Sequence, residues 1–389
     1  MKINHLRFSL RRDRPLGTIY VLSFLTSLGV AVIQPFLALY FETFVPLSFV
    51  GLLLSISYLI SILANIFGAR IIRLLHEQRV VIIALGGTAL MLFLLGFVGH
   101  VAILIVIFSL YTFFITLIWF NIQLYIKHNS ATDKLSGNEG KLGSIINLGF
   151  VLAPFIGGAI ASRYDLPAVF IASAIFTLLG LILFAEIRPY DHEEIAVPGS
   201  HFLQQIKNYF RDPELTKIYL TSFGLYFNYS LWIFLPVYLL ELGMSLASLG
   251  LLYSLTALPW VILEYPIGRL ADKKSSLKGF LVAGFFLLAI VSFTFGILNE
   301  LSWIIAALVV GVIGSSFIEM NSFSAFFKLA GHDNVERLSI FRTAMGLGQI
   351  SGPLVAALIL AQGSLSFLFI FAGFVGLLLL ANALSLKKI

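Results

Sequence analysis

Apolar runs of membrane-crossing length, separated by short polar turns, fill this chain from end to end. A membrane helix needs about 20 apolar residues. Twelve runs qualify, at approximately 16–41, 48–68, 79–99, 101–126, 142–162, 166–186, 215–240, 245–268, 276–298, 301–327, 338–361 and 364–386. Each is expected to be a helix, because hydrocarbon offers no partner for open backbone groups. The strands of a membrane barrel would be half as long and would alternate. The first run is too long for a signal-peptide core, so it reads as a retained first helix.

Composition sharpens this picture. Hydrophobic residues make up 59% of 389 and charged residues 11%, too little charge to cover a soluble protein of this size. The net charge of +6 would suggest nucleic acid in a soluble chain, but here the basic residues mark loops. There is no Cys, which excludes disulfides, thiolate metal sites and Cys catalysis. The seven His residues are scattered over termini and loops, with no metal-ligand spacing, nucleotide loop or Ser/His/Asp arrangement. No metal, cofactor or nucleic acid is expected, and the chain does not read as an enzyme.

Of the 25 Lys and Arg, all but Arg163 fall at the termini or in alternate loops. Positive charge is retained on the cytoplasmic side, so both termini are expected there, in the cell (inner) membrane, with an even helix count.

One connector differs from the rest. Residues 187–214 hold Pro189, Asp191, Glu193, Glu194 and Pro198, and read as a cytoplasmic linker between six-helix halves at 1–186 and 215–389. Its second part spaces Phe202, Ile206 and Phe210 for one face of an amphipathic helix on the membrane surface.

The halves repeat. Gln34-Pro35-Phe36 matches Leu235-Pro236-Val237, and Gly51-Leu52-Leu53 matches Gly250-Leu251-Leu252. Gly68 matches Gly268, and Trp119-Phe120-Asn121 matches Glu319-Met320-Asn321. The block Ala153 to Gly158 matches Gly352 to Ala357. Five blocks in register indicate duplication. The expected fold is an all-α membrane protein, twelve transmembrane helices in two pseudo-symmetric six-helix bundles.

Two six-span halves, a cytoplasmic linker and a basic turn after the second span of each half resemble the major facilitator superfamily of secondary transporters. The segment Gly268-Arg269-Leu270-Ala271-Asp272-Lys273 is similar to that family's loop signature. In the first-half copy Ile72 stands in place of the Asp. Ala153-Pro154-Phe155-Ile156-Gly157-Gly158 is similar to an element of many of its antiporters, whereas no Arg or Lys lies between Thr112 and Tyr125, where proton antiporters often carry one. The resemblance implies alternating access around a midplane site. Pro154, Gly157, Gly158, Gly352 and Pro353 are then expected to bend helices and let them approach. Glu264, Gly268, Arg269, Asp272 and Lys273 form the expected gate, with Asp272 latching onto the start of the fifth helix.

A charged group deep in a membrane is a functional candidate by default. Glu319, eighteen residues into the tenth run, is the expected proton or cation site, with Asn321 beside it. By the resemblance, helices one, four, seven and ten line the cavity. That makes Gln34, Trp119, Asn121, Tyr226, Asn228, Trp232 and Asn321 its expected lining, with Tyr229 among the aromatics. Aromatics, a few amides, one acid and no Arg suit a lipophilic neutral or cationic compound, and suit phosphates or dicarboxylates poorly. The expectation is a monomeric exporter of such small molecules in exchange for protons. The alternatives are an importer or facilitator of a neutral solute, or a non-transporting receptor or assembly protein.

Overall fold

Proline decides how the first and seventh spans run. In the computed structural model, which describes residues 3–129, 135–185, 202–274, 277–330 and 335–387, the helix Ile3–Ile33 gives way to a 3-10 turn, Gln34–Phe36, before resuming at Leu37–Glu42. The seventh span repeats the design: Pro213–Leu231, a 3-10 turn at Trp232–Phe234, then Leu235–Glu241. Pro236 has no N–H to continue the ladder, and the preceding Leu235 N–H bonds back to the Trp232 carbonyl at the tighter 3-10 spacing.

Among the described residues there is no strand, and twelve helices are long and apolar enough to cross a membrane: Leu16–Glu42, Leu47–Asn65, Glu77–Leu95, Val101–Gln123, Gly140–Arg163, Leu166–Ala185, Pro213–Glu241, Leu246–Leu263, Leu277–Ile297, Leu301–Ala330, Arg337–Leu360 and Leu365–Ser385. We number these spans one to twelve. The pairing pattern is the same in both sets of six. Span one packs on five and six, and span three on four and six. Span seven packs on eleven and twelve, and span nine on ten and twelve.

Contacts nevertheless divide the chain into two compact units that cut across the sequence halves. One holds Met1–Phe36, Ile60–Val197 and Leu246–Ser254; the other holds Leu37–Leu59, Pro198–Ser245 and Leu255–Ile389. The start of span two therefore groups with the later spans, and the start of span eight with the earlier ones. Two matching glycines give the reason. A methyl group on Gly51 would overlap the Pro353 carbonyl, and one on Gly250 would overlap the Pro154 carbonyl. Only a bare Cα lets the helices come this close.

One expectation needs correction. The basic segment from Gly268 is not a turn: it continues the helix Leu246–Lys274, and the next helix starts at Leu277. A helix also runs through Phe202–Arg211. Tyr209 is 1% exposed, whereas Phe210 is 43% exposed. The Tyr209 hydroxyl reaches the Leu215 carbonyl at 3.3 Å, so the packed position goes to the ring whose polar tip finds a partner. Phe210 meets Tyr219 edge to face, with centroids 5.0 Å apart. With Ile206, Tyr219, Ile340, Thr343 and Leu347 it borders a cavity of about 330 Å³.

Candidate functional site

Glu319 sits on span ten, one helical turn past Ser315, and is half-buried. Span seven brings two phenols to it. Tyr226 donates its hydroxyl proton to Glu319 Oε1 at 2.8 Å, and the Tyr229 hydroxyl is buried beside the same carboxylate and Ser315. The spacing explains the pair: residues three apart on a helix share a face. The two rings stand at 89° with centroids 5.8 Å apart. Trp260 of span eight adds a third ring, 6.3 Å from Tyr229 and tilted 39° to it. Glu319, Tyr226, Tyr229 and Trp260 all lie in one compact unit and are all half-buried. Together they offer an acid and three electron-rich faces.

The other expected cavity residues are placed differently. Trp232 is buried in packing, its indole N–H 3.3 Å from Ser292 Oγ and its ring edge-on to Phe295. Asn228 is fully buried, donating to the Gly224 carbonyl of its own helix at 3.3 Å. Asn321 donates to Phe317 and Asn121 to Leu117, both one turn back and both at 2.7 Å. This shared geometry at matched positions repeats the duplication at atomic level. In all three amides the carbonyl oxygen is buried without a partner among the described residues, a cost of about 1–3 kcal/mol each. Gln34 is exposed in the 3-10 turn of span one, and Trp119 packs against the apolar core around Ile118 and Ile122. Those two and Asn121 belong to the other compact unit.

Pro154 and Pro353 both lie inside unbroken helices. Gly157 faces Val32 and Phe36, Gly158 faces Leu246 and Gly250, and Gly352 faces Phe227 and Ser230. Of the expected gate, Glu264, Gly268, Arg269, Asp272 and Lys273 fall on the helix Leu246–Lys274, but their side chains lie outside the described residues.

Four residues escape the sequence reading. Trp260 and Ser315 carry no local signal that separates them from other residues of an aromatic, Ser-rich membrane chain. Ser55 and Ser254 do carry one, a Gly four residues earlier in each copy: Gly51-x-x-x-Ser55 and Gly250-x-x-x-Ser254.

Twelve spans with this repeated pairing define a polytopic helical membrane protein with a small acidic, aromatic site in one unit. The family model described as Major Facilitator Superfamily matches residues 19–337, and the chain belongs to that superfamily of transporters. An uncharacterized MFS-type transporter of Methanocaldococcus jannaschii is 22% identical, the match covering 87% of this chain and 89% of the relative. The Multidrug resistance protein MdtH of Sodalis glossinidius is 25% identical over 46% of this chain and 45% of its own length. Among solved structures, a POT family transporter in complex with 5-aminolevulinic acid superposes with a TM-score of 0.79 at 15% identity, covering 95% of both chains. At that identity the likeness concerns the fold.

Proposed function

We propose that this chain is a secondary active transporter working by alternating access, exporting lipophilic neutral or cationic compounds in exchange for protons. Glu319 is the group that carries the proton. The observation that supports this most is the Tyr226–Glu319 hydrogen bond at 2.8 Å, inside two membrane spans. A carboxylate accepts that phenolic proton more strongly than a neutral carboxylic acid does, so the strength of the bond depends on the protonation state of Glu319. Proton uptake and this contact are thereby tied together. The partial match to a protein named for multidrug resistance is in keeping with export.

The bodies that move are the halves 1–186 and 215–389, joined through 187–214, with both termini on the cytoplasmic side of the cell membrane and a monomer as the working form. The sidedness rests on the placement of 24 of the 25 basic residues. Asp272 is the proposed cytoplasmic latch. Unchanged cytoplasmic labelling of reporter thiols after Asp272→Asn would remove that role.

One observation favours a second reading. With no Arg or Lys from Thr112 to Tyr125, where proton antiporters often carry one, and Ile72 in place of the Asp of the first loop copy, the chain departs from its family's pattern at two places. A facilitator or importer of a neutral solute fits those departures. A substrate screen in energised vesicles, with and without a proton uncoupler, separates the two: transport collapses for the exporter and persists for the facilitator.

A further inference from the structure

We infer that the cavity beside the surface helix Phe202–Arg211 binds one acyl chain of an anionic phospholipid, whose phosphate rests on Lys207 and Arg211. The site stands apart from Glu319, and nothing in it depends on the direction or coupling of transport. All of its residues lie in one compact unit. The cavity holds about 330 Å³, and span eleven contributes Ile340, Thr343 and Leu347 to its wall. These three share one face and descend it over about 10 Å. Leu347 lies ten residues beyond Arg337, where span eleven begins. The cavity therefore reaches about 15 Å down the span, roughly half of a hydrocarbon core about 30 Å thick. Tyr219 and Ile340 are buried and form its inner wall, whereas Phe210 and Leu347 are exposed and leave one side open. The two hydroxyls on the wall are already engaged. Thr343 donates to the Ile340 carbonyl at 2.7 Å, and so accepts from Tyr219 at 3.0 Å. No donor is left for a polar occupant, and an apolar slot open at this depth favours a hydrocarbon chain over water.

Charge at the head of the slot selects the lipid. Ile206 and Phe210 line the cavity, and the residue after each is basic: Lys207 and Arg211, both exposed and one turn apart on the same helix. Arg337 and the exposed Arg342 add to them from the first turns of span eleven. Among the described side chains at this level, the acids are engaged. Asp212 accepts from the Glu214 and Leu215 N–H groups at 2.9 and 3.3 Å, and Glu214 accepts from Lys217 at 2.8 Å. The balance is positive, and a basic pocket at a membrane surface draws anionic head groups. A zwitterionic head group would bring its own ammonium against the same cations. A free anion would meet those cations but leave the slot unfilled.

The test is native mass spectrometry of the purified full chain in detergent, loaded with dioleoylphosphatidylglycerol or with dioleoylphosphatidylcholine. The expected result is one phosphatidylglycerol retained per chain, with a preference of about tenfold over phosphatidylcholine. The double substitution Lys207→Gln and Arg211→Gln should bring the two lipids to near equality. Thr343→Phe, which fills the slot, should lower retention of phosphatidylglycerol about fivefold, whereas Thr343→Val, which keeps the volume, should preserve it. Equal retention of the two lipids by the wild type would overturn the inference. So would undiminished phosphatidylglycerol on Thr343→Phe, which would mark a head-group contact alone. Displacement of phosphatidylglycerol by an equal concentration of glycerol 3-phosphate would also overturn it, by showing an anion site in place of a lipid site. If a variant does not fold, the lipid comparison and the glycerol 3-phosphate competition on the wild-type protein still decide.

Discussion

Ser55 and Ser254 occupy equivalent positions in the two repeats, and each bonds to the backbone of a proline-containing helix close to its proline. Ser55 shares its proton between its own Gly51 carbonyl at 2.9 Å and the Ile350 carbonyl of span eleven at 2.8 Å. Ser254 instead accepts from the Phe155 N–H of span five at 2.8 Å. Ile350 lies three residues before Pro353 and Phe155 lies directly after Pro154. One hydroxyl takes the carbonyl side of the proline region and the other the N–H side.

These contacts should be measurable as stability. Each hydroxyl bond is worth about 0.5–1.5 kcal/mol, so Ser55→Ala and Ser254→Ala should each lower the thermal midpoint of the purified protein modestly. Gly51→Val and Gly250→Val should lower it much more, because their side chains meet backbone carbonyls that cannot step aside. Equal, small effects from all four substitutions would show that these helices are not held this closely.

The carboxy-terminal end is strapped to span seven by one acid. Glu214 accepts from Lys217 Nζ at 2.8 Å and from the Lys387 N–H at 2.9 Å, while Lys217 also reaches the Ser385 carbonyl at 2.7 Å. Lys278 closes on the Leu386 carbonyl at 2.6 Å. Groups in one network couple by about 0.5–3 kcal/mol. In a double-mutant cycle of Glu214→Ala and Lys217→Ala, measured by denaturation in detergent, the pair should cost clearly less than the sum of the singles. Simple additivity would mean that the exposed face of this network contributes little, as isolated surface pairs do.

Docking of the surface helix should depend on pH at the alkaline end. Burial raises the Tyr209 phenol above its ordinary value of 10.0, with Tyr219 and Asp212 adding to the rise and Arg337 opposing it. Because the folded value is the higher one, the neutral phenol's contribution is complete below about pH 10 and is lost as pH rises through the folded value. Protease cleavage within 202–211 should accelerate above pH 10 in the wild type. Tyr209→Phe, which has no proton to lose, should flatten that rise while raising cleavage at neutral pH slightly. An identical pH profile in both proteins would contradict the assignment.

The spans were legible because hydrocarbon enforces length and apolarity directly on the sequence, and the duplication because glycine and proline keep their positions when little else does. Glu319 stood out for the same reason: an acid in an apolar run has no bland background to hide in. What surrounds it was less legible. Tyr226 could be named from its helix face, but Trp260 meets Tyr229 only through the packing of spans seven and eight, a contact that no local pattern encodes. Nor does the sequence tell how an indole or amide in a span is partnered: Trp232 is 8% exposed, bonded to Ser292 and packed over Gly311. A buried amide can likewise satisfy its N–H on its own helix, as Asn121, Asn228 and Asn321 do. The grouping of span two with later spans came from interhelical contact at Gly51, which the repeat alone did not reveal.

The most direct test of the account is transport by Glu319→Gln in proteoliposomes carrying a proton gradient, followed with the best substrate found in the screen. The amide keeps the shape and still offers an oxygen to Tyr226, but cannot exchange a proton at these pH values. The account predicts that gradient-driven transport is lost and that whatever flux remains no longer varies with pH, while the protein's thermal midpoint stays near the wild-type value. Full gradient-driven transport with the wild-type pH dependence would contradict it.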